Sequence, residues 1–401
     1  MKFKIATLGC KLNFAESSSL GKVLLSQGHV RALPGEEADL VIVNTCSVTD
    51  TADHKDRQAI HRLRRENPHA RLIVTGCYAR LKPDEILRMH EVDEVQPKDD
   101  TVFTPAVSYD DRTRCFLKVQ DGCNNFCTYC TIPLARGRSR NPLIADVVRQ
   151  AQEALRSGAK EIVLTGVNIG DFGRSTGEHF QALLEALDNL DGEYRIRIGS
   201  VEPDLLTDEI IDLVADSRHI APHFHIPLQS GSNEVLRIMH RHYTREFFKS
   251  RVERIRAKLP DAFIGVDCMV GVRGETLPYF EDYRLFVEGL DVSQLHVFTY
   301  SERANTRMLT MDDLEVVPQQ ERNRRSKILH EISELKLKAF YEAQLNKEHI
   351  VLWESRRVAG HSGNAAIAYM SGFTENYVKL TVPYDRSKIN CFCRVTNKVT
   401  N

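Results

Sequence analysis

The sequence predicts an α/β protein in three parts: an amino-terminal parallel sheet, a partial (β/α)6 barrel and a small carboxy-terminal antiparallel β-barrel. Three observations predict it. Short apolar runs alternate with helix-like segments from Phe3 onward, and such alternation builds parallel sheets. Cysteines or small polar residues stand just past successive strand-like runs, where open α/β folds bind ligands. Beyond Leu345 the pattern changes to short strands separated by Gly, Asn and Pro. The expected domains are residues 1–107, 108–340 and 341–401.

A chain of 401 residues is long enough for two or three domains with a substantial core. Hydrophobic residues make up 42% and charged residues 27%, the balance of an ordinary globular protein. Formal net charge is -1, so any RNA contact must come from local patches. Met1-Lys2-Phe3-Lys4 leads straight into a strand-like run, and no long apolar stretch offers a signal or a membrane span. The expectation is a cytoplasmic protein with no membrane partner. In a reducing compartment, ten cysteines read as metal ligands or core residues rather than disulfides.

In the first unit the strand-like runs are Phe3 to Leu8, Asp39 to Asn44 and Arg71 to Thr75, with helix-like Ala15 to Gln27 and Ala52 to Glu66 between them. A parallel sheet puts the carboxyl ends of its strands on one edge, so Cys10, Cys46 and Cys77 converge there. Each could instead be an ordinary buried cysteine. Identical placement after three successive strands favours a three-thiolate metal site. Pro97 to Pro105 reads as a linker.

After the strand-like Arg114 to Val119 comes Gln120-Asp-Gly-Cys-Asn-Asn-Phe-Cys-Thr-Tyr-Cys130, with thiols at Cys123, Cys127 and Cys130. Three thiolates at these gaps can wrap one corner of an iron–sulfur cube and leave the fourth iron without a protein ligand. Zinc would want a fourth Cys or His nearby, and none lies between Cys130 and His179. Cys123-x3-Cys127-x2-Cys130, with Tyr129 before the last cysteine, resembles the signature of the radical S-adenosylmethionine enzymes. The resemblance implies that the open iron takes the amino and carboxylate groups of S-adenosylmethionine, whose reductive cleavage yields a 5′-deoxyadenosyl radical.

Five further strands follow at Glu161 to Thr165, Tyr194 to Ile198, His223 to Ile226, Phe263 to Val266 and Ser293 to Phe298, each preceded by a helix-like segment. Six β/α units suggest a partial barrel with its site at the carboxyl edge of the strands. Just past those strands lie Gly166, Asn168, Ser200, Glu202 and Gln229. Small residues let a ligand approach the backbone, and Asn168, Glu202 and Gln229 can hydrogen-bond an adenosyl group. Arg241 and the Arg136, Arg138 and Arg140 loop could hold the cofactor carboxylate or RNA phosphate. His223 and His225 share a strand face without a third ligand and read as barrel lining, and Cys115 and Cys268 as core.

Pro318 to Leu345 reads as one long helix with Ile328, Leu329, Ile332, Leu335 and Phe340 on one face. The terminal segment has the proportions of an OB-like barrel. Cys391 and Cys393 alternate onto one face and read as core, since a disulfide two positions apart in a strand would be strained. Basic stretches occur at His61 to Arg65, Arg136 to Arg140 and Arg237 to Arg245. Together with the terminal β domain they favour RNA, with Arg136, Arg138 and Arg140 on phosphates and Phe373 and Tyr377 stacking bases.

Taken whole, the chain resembles the methylthiotransferases: an amino-terminal three-cysteine domain, a radical S-adenosylmethionine barrel and a terminal TRAM domain. Gly372-Phe-Thr-Glu-Asn-Tyr-Val378 carries the TRAM likeness. Leu8-Gly-Cys-Lys-Leu-Asn13, Asn44-Thr-Cys-Ser-Val-Thr49 and Thr75-Gly-Cys-Tyr-Ala79 look most like the branch acting on tRNA N6-threonylcarbamoyladenosine. The isopentenyladenosine branch usually has Gln-Met-Asn after its first cysteine and the ribosomal-protein branch Pro-Lys-Asn; Lys11-Leu12-Asn13 fits neither. The resemblance implies two 4Fe-4S clusters, one on Cys123, Cys127 and Cys130 that cleaves S-adenosylmethionine, the other on Cys10, Cys46 and Cys77 that carries the sulfur. It implies replacement of the C2 hydrogen of the adenine by a methylthio group, with an external electron donor and a sulfur source as partners. Val272-Arg273 and Ala304-Asn305 depart from the family's Phe-Pro and Pro-Gly. The alternatives are isopentenyladenosine as substrate, or a non-catalytic iron–sulfur electron carrier or RNA-binding protein.

Overall fold

The computed structural model describes residues 1–108, 113–362 and 365–398. Its first unit runs β1 (Lys2–Thr7), α1 (Lys11–Ser26), β2 (Val30–Arg31), β3 (Leu40–Thr45), α2 (Asp50–Glu66), β4 (Arg71–Gly76), α3 (Cys77–Leu81), α4 (Pro83–Leu87) and β5 (Glu94–Pro97). The sheet is parallel, in the order β2-β1-β3-β4-β5. Val41, Val43, Leu72 and Val74 bury one face of it against Ile60 and Leu63 of α2. Helix α2 begins where Thr49 accepts the Ala52 amide, and Asp50 and Asp53 favour its positive end. Edge strands β2 and β5 were not apparent in the sequence, because two- and four-residue edges carry no apolar run. Strand β5 ends at Pro97, where the linker was expected to begin.

The second unit runs β6 (Arg114–Lys118), α5 (Ile132–Arg136), α6 (Ile144–Arg156), β7 (Glu161–Thr165), α7 (Phe180–Asp188), β8 (Arg195–Arg197), α8 (Asp208–Asp216), β9 (His223–Gln229), α9 (Asn233–Ile238), α10 (Arg245–Lys258), β10 (Phe263–Val270), α11 (Leu277–Gly289) and β11 (Gln294–Thr299). Parallel sheets β6-β7-β8 and β9-β10-β11 are joined by bridges from Ile196 to Ile220 and from Ser200 to His225, giving one six-stranded arc. Outward residues such as Leu117, Ile162, Ile196, Ile226 and Val266 share a core with Val147, Leu183, Ile211, Val252 and Phe280 of the helices. Helix α1 of the first unit lies along β6, with Phe14 edge-on to Phe116 at 5.8 Å.

Helix α12 (Gln319–Ala343) packs on β11 through buried Leu329 and Ile332. Leu335, expected on the same face, is 70% exposed. Strands β12 (Glu348–Ser362), β13 (Ala365–Phe373), β14 (Lys379–Pro383) and β15 (Phe392–Thr396) form an antiparallel sheet in the order β14-β13-β12-β15. Its core holds Val351, Trp353, Met370 and Leu380. Cys391, expected in that core, is exposed, because it lies in the turn before β15 rather than in the strand.

The turn after β13 plugs the amino-terminal mouth of the barrel. Arg195 donates to the Phe373 carbonyl at 3.2 Å, and Arg197 donates to the carbonyls of Thr374 at 3.3 Å and Glu375 at 3.2 Å. Both arginines pair with fully buried Glu161, whose carboxyl burial would raise but Arg197 and Arg195 hold at about 2.

Candidate functional site

Three local devices bring Cys10, Cys46 and Cys77 to one edge. Gly9 has φ +96°, and a Cβ there would lie 2.6 Å from the Cys46 Cβ. Gly76 has φ +100°, and a Cβ there would lie 2.3 Å from the Thr45 carbonyl oxygen. Only glycine fits either place. The Asn13 carboxamide then donates 2.9 Å bonds to the Leu8 and Thr45 carbonyls, tying the turns after β1 and β3 together. Burial pushes the Cys46 thiol up to about 12, with smaller upward contributions from Cys77 and Cys10, and burial also raises Cys77.

The second triplet sits in the loop after β6. Burial raises Cys123 to about 11 and Cys130 to about 12, and Cys127 adds to both. Backbone amides of Asn125 and Ile132 point at the Cys123 and Cys130 sulfurs at 3.5 and 3.4 Å, and Arg241 Nη1 donates to the Cys127 sulfur at 3.1 Å. Buried thiols that repel one another as anions yet are aimed at by N–H donors suit a cationic metal core that stabilises thiolates. Among the described residues no three His, Cys, Asp or Glu groups close on a single metal ion. In an iron–sulfur cube each thiolate binds its own iron, so the lack of a single-ion site is compatible with that group, and the N–H donors around Cys123, Cys127 and Cys130 suit it.

Residues expected to meet the cofactor divide into two sets. Glu202 pairs with Arg241 beside Cys127, and Arg241 also donates to the Tyr243 hydroxyl at 3.1 Å. The side-chain oxygens of Asn168 and Gln229 are buried without a protein partner, so both can accept from a ligand. Tyr129 packs against the cluster formed by Val235, Met239, Val272, Tyr300 and Met308. Ser200 bridges to His225 through its backbone. Gly166 sits where a side chain would not fit: a Cβ there would lie 2.7 Å from Ile169 Cγ2 and 2.9 Å from the Gln120 carbonyl oxygen. Gln120 itself is a residue that sequence reasoning missed. Its Oε1 accepts from the amides of Val167 and Asn168, while its Nε2 donates to the Asp121 and Gly122 carbonyls, locking the cysteine loop to the loop after β7. The one available signal was its place between a strand and the first cysteine.

The arginine loop requires a correction. Arg136 is only 3% exposed and pairs with Glu16 at 3.1 Å and Asp121 at 3.0 Å, so it cannot reach an RNA phosphate. Arg140 pairs with Asp121 and donates to the carbonyls of Val102, Arg136 and Arg138. Arg138 alone of the three is exposed, over the Phe126 ring. Phe373 and Tyr377 are not free to stack bases either. Their rings stack on each other at 4.8 Å, Arg114 lies over Phe373, and Tyr377 packs against Arg197, His223 and Phe263.

The two strand edges face one another. Arg303, past β11, donates to Ser47 Oγ at 2.7 Å and to Asp53 at 2.9 Å, and pairs with Asp50. Arg136, past Cys130, holds Glu16 and Asn13 of α1. Two buried arginines thus clamp the turn carrying Cys46 and the helix that follows Cys10 to the barrel rim. Their roles were not visible in sequence, because both partners lie more than a hundred positions away.

Residues 2–96 match the uncharacterized protein family UPF0004, and residues 117–287 the Radical SAM superfamily. The chain is 37% identical to the threonylcarbamoyladenosine tRNA methylthiotransferase MtaB of Bacillus subtilis, over 93% of this chain and 88% of that protein. It is 33% identical to the protein of the same name from Aquifex aeolicus, over 89% and 94%. A tRNA-2-methylthio-N(6)-dimethylallyladenosine synthase of Carboxydothermus hydrogenoformans is 32% identical, over 88% of each. Among solved structures, the radical S-adenosylmethionine methyltransferase TsrM of Kitasatospora setae superposes with a TM-score of 0.52 at 14% identity over 74% of each chain. No described helix is long and apolar enough to cross a membrane.

Proposed function

This chain belongs to the MtaB-like family of radical S-adenosylmethionine methylthiotransferases, and we propose that it converts N6-threonylcarbamoyladenosine in tRNA to its 2-methylthio derivative. The observation that carries this reading is likeness, over about nine-tenths of both chains, to relatives named for that reaction. Cys123, Cys127 and Cys130 would hold one 4Fe-4S cluster, with S-adenosylmethionine on its open iron, and Cys10, Cys46 and Cys77 a second. Those groups, when bound, supply radical hydrogen abstraction and a transferable sulfur, which acid/base side chains cannot do at an aromatic C–H.

The protein's own residues bind, orient and enclose. Glu202 and Arg241 place opposite charges beside Cys127, matching the ammonium and carboxylate of an amino-acid ligand. Asn168 and Gln229 offer unpaired acceptors to an adenine amino group. Arg136 and Arg303 hold the two cysteine edges across one chamber, so that cofactor and substrate stay oriented. The reductant and the sulfur source come from outside the chain.

Mass analysis of tRNA nucleosides from a strain lacking the protein tests the reading. Loss of the methylthio derivative of threonylcarbamoyladenosine alone supports it. Loss of the isopentenyl derivative instead would move the substrate to the other branch, and an unchanged profile would overturn the reading.

A further inference from the structure

The inner face of the second barrel sheet carries polar side chains that belong to neither cysteine site. Strands β9, β10 and β11 pair in register, with Gly265 beside His225, Asp267 beside His296 and Met269 beside Phe298. Their chain neighbours Ile226, Val266, Cys268 and Leu295 point outward into the helix-packed core. Side chains alternate along a strand, so His225, Asp267, His296 and Phe298 face the lumen. Below them His223 lies against Tyr377 of the plug, its ring 4.8 Å away. Above them, Ser200 bridges to His225 close to Glu202, and Arg303 beyond β11 holds the turn carrying Cys46. This face therefore stands between the two cysteine edges.

The geometry leaves one acceptor, one donor and one flat ring open. His225 Nε2 lies 2.8 Å from Asp267 Oδ1, which fixes the carboxylate, while the other carboxylate oxygen has no partner among the described residues. The His296 ring stands edge-on to His225 at 5.1 Å and leans over Gly265, where a Cβ would lie 3.0 Å from its Nε2. Among the described residues His296 makes no hydrogen bond or ion pair, and an imidazole always carries at least one N–H to donate. Phe298 is 49% exposed and meets no other described ring. A barrel interior that only supports the fold is filled with branched apolar layers, and polar groups inside it are paired. Open polar groups beside an open ring instead suit a planar ligand with its own donor and acceptor.

A ureido group on the adenine N6 extends the purine plane and presents N–H donors beside a carbonyl acceptor. An isopentenyl substituent presents only the single N6–H. We propose that Phe298 stacks the substrate's modified adenine while Asp267 accepts from its ureido N–H and His296 donates to its ureido carbonyl. This rests on the substrate reading given above. Stacking on an aromatic ring tolerates any base, so discrimination falls to Asp267 and His296. A substituent without the urea leaves both desolvated and incompletely paired, which is the usual basis of strong rejection.

The test measures binding by fluorescence anisotropy on the full-length, iron-loaded protein. The probes are short stem-loop RNAs in which one loop adenosine bears N6-threonylcarbamoyl, N6-methylcarbamoyl or N6-isopentenyl; the methylcarbamoyl probe keeps the urea and lacks the carboxylate. Wild type should bind both ureido RNAs at least about tenfold more tightly than the isopentenyl RNA, the size of one hydrogen bond to a charged group. His296→Leu and Asp267→Ala should each bring that ratio down toward one. Phe298→Leu should weaken all three RNAs alike and keep the ratio. The ratio within one preparation is insensitive to cluster occupancy, and His296 has no hydrogen bond whose loss would unfold the barrel. An unchanged ratio in His296→Leu and Asp267→Ala overturns the assignment and leaves the substrate reading standing. Tight threonylcarbamoyl binding with methylcarbamoyl no better than isopentenyl does the same, since the carboxylate would then carry recognition. Wild type preferring the isopentenyl RNA over both ureido RNAs sinks the substrate reading and this inference together.

Discussion

The Nη2 of Arg136 donates to the Oδ1 of Asn13 over 2.5 Å. One contact therefore joins the helix that follows Cys130 to the helix that follows Cys10. Arg136 also neutralises Glu16 and Asp121, both nearly buried. Arg136→Gln removes one cation from a network in which Lys98 and Lys118 still face Glu16 and Lys118 and Arg140 still face Asp121, at a cost of about 1–3 kcal/mol for the lost charge-assisted hydrogen bonds. We expect lower stability in denaturant, faster amide exchange in α1, and 5′-deoxyadenosine formation that continues while methylthio product falls. Product and cleavage falling together would show that the clamp does not separate the two halves of the reaction.

Gly76→Ala places a methyl group 2.3 Å from the Thr45 carbonyl in a backbone conformation that L side chains avoid. Cys77 should swing away from Cys10 and Cys46. Iron analysis should show loss of the amino-terminal cluster although every thiol is intact, and full iron content would refute the geometry.

Replacing Cys10, Cys46 or Cys77 by Ala should remove about four irons and abolish methylthio transfer, with reductive cleavage of S-adenosylmethionine still measurable. Replacing Cys123, Cys127 or Cys130 should abolish cleavage as well. Retention of the two-cluster iron level in the first group would dissolve the convergence of the three strand-end cysteines.

Glu161 supplies a pH test. Its folded value of about 2 lies below the ordinary 4.5, so its contribution is complete above about 4.5 and is lost as pH falls through about 2. The shift corresponds to about 3 kcal/mol. Glu161→Gln should destabilise the protein by roughly that amount at pH 7, and the gap to wild type should close as both are acidified. A gap that stayed constant with pH would mean that Glu161 acts through packing rather than charge.

Much of the fold was legible because it is written locally. Ile144 to Arg156 carries its own apolar spacing, and the helix has those bounds. Glu161 to Thr165 is a bare apolar run, and the strand has those bounds too. The glycines before Cys10 and Cys77 stand in the sequence as turn residues, and the structure shows the close approach that requires them. Arg136 and Tyr377 were read as RNA ligands because an arginine loop and an exposed-looking aromatic turn are indistinguishable, by composition, from the same residues folded inward.

The apolar-run strands, the cysteine just past three of them and the family signature were thus determined by the sequence alone, since periodicity and turn chemistry act over a few residues. Which charges meet was decided only by tertiary structure. Arg136 finds Asn13 and Glu16, and Arg303 finds Ser47 and Asp53, because packing the units together desolvates groups far apart in the chain and forces each buried charge toward a partner.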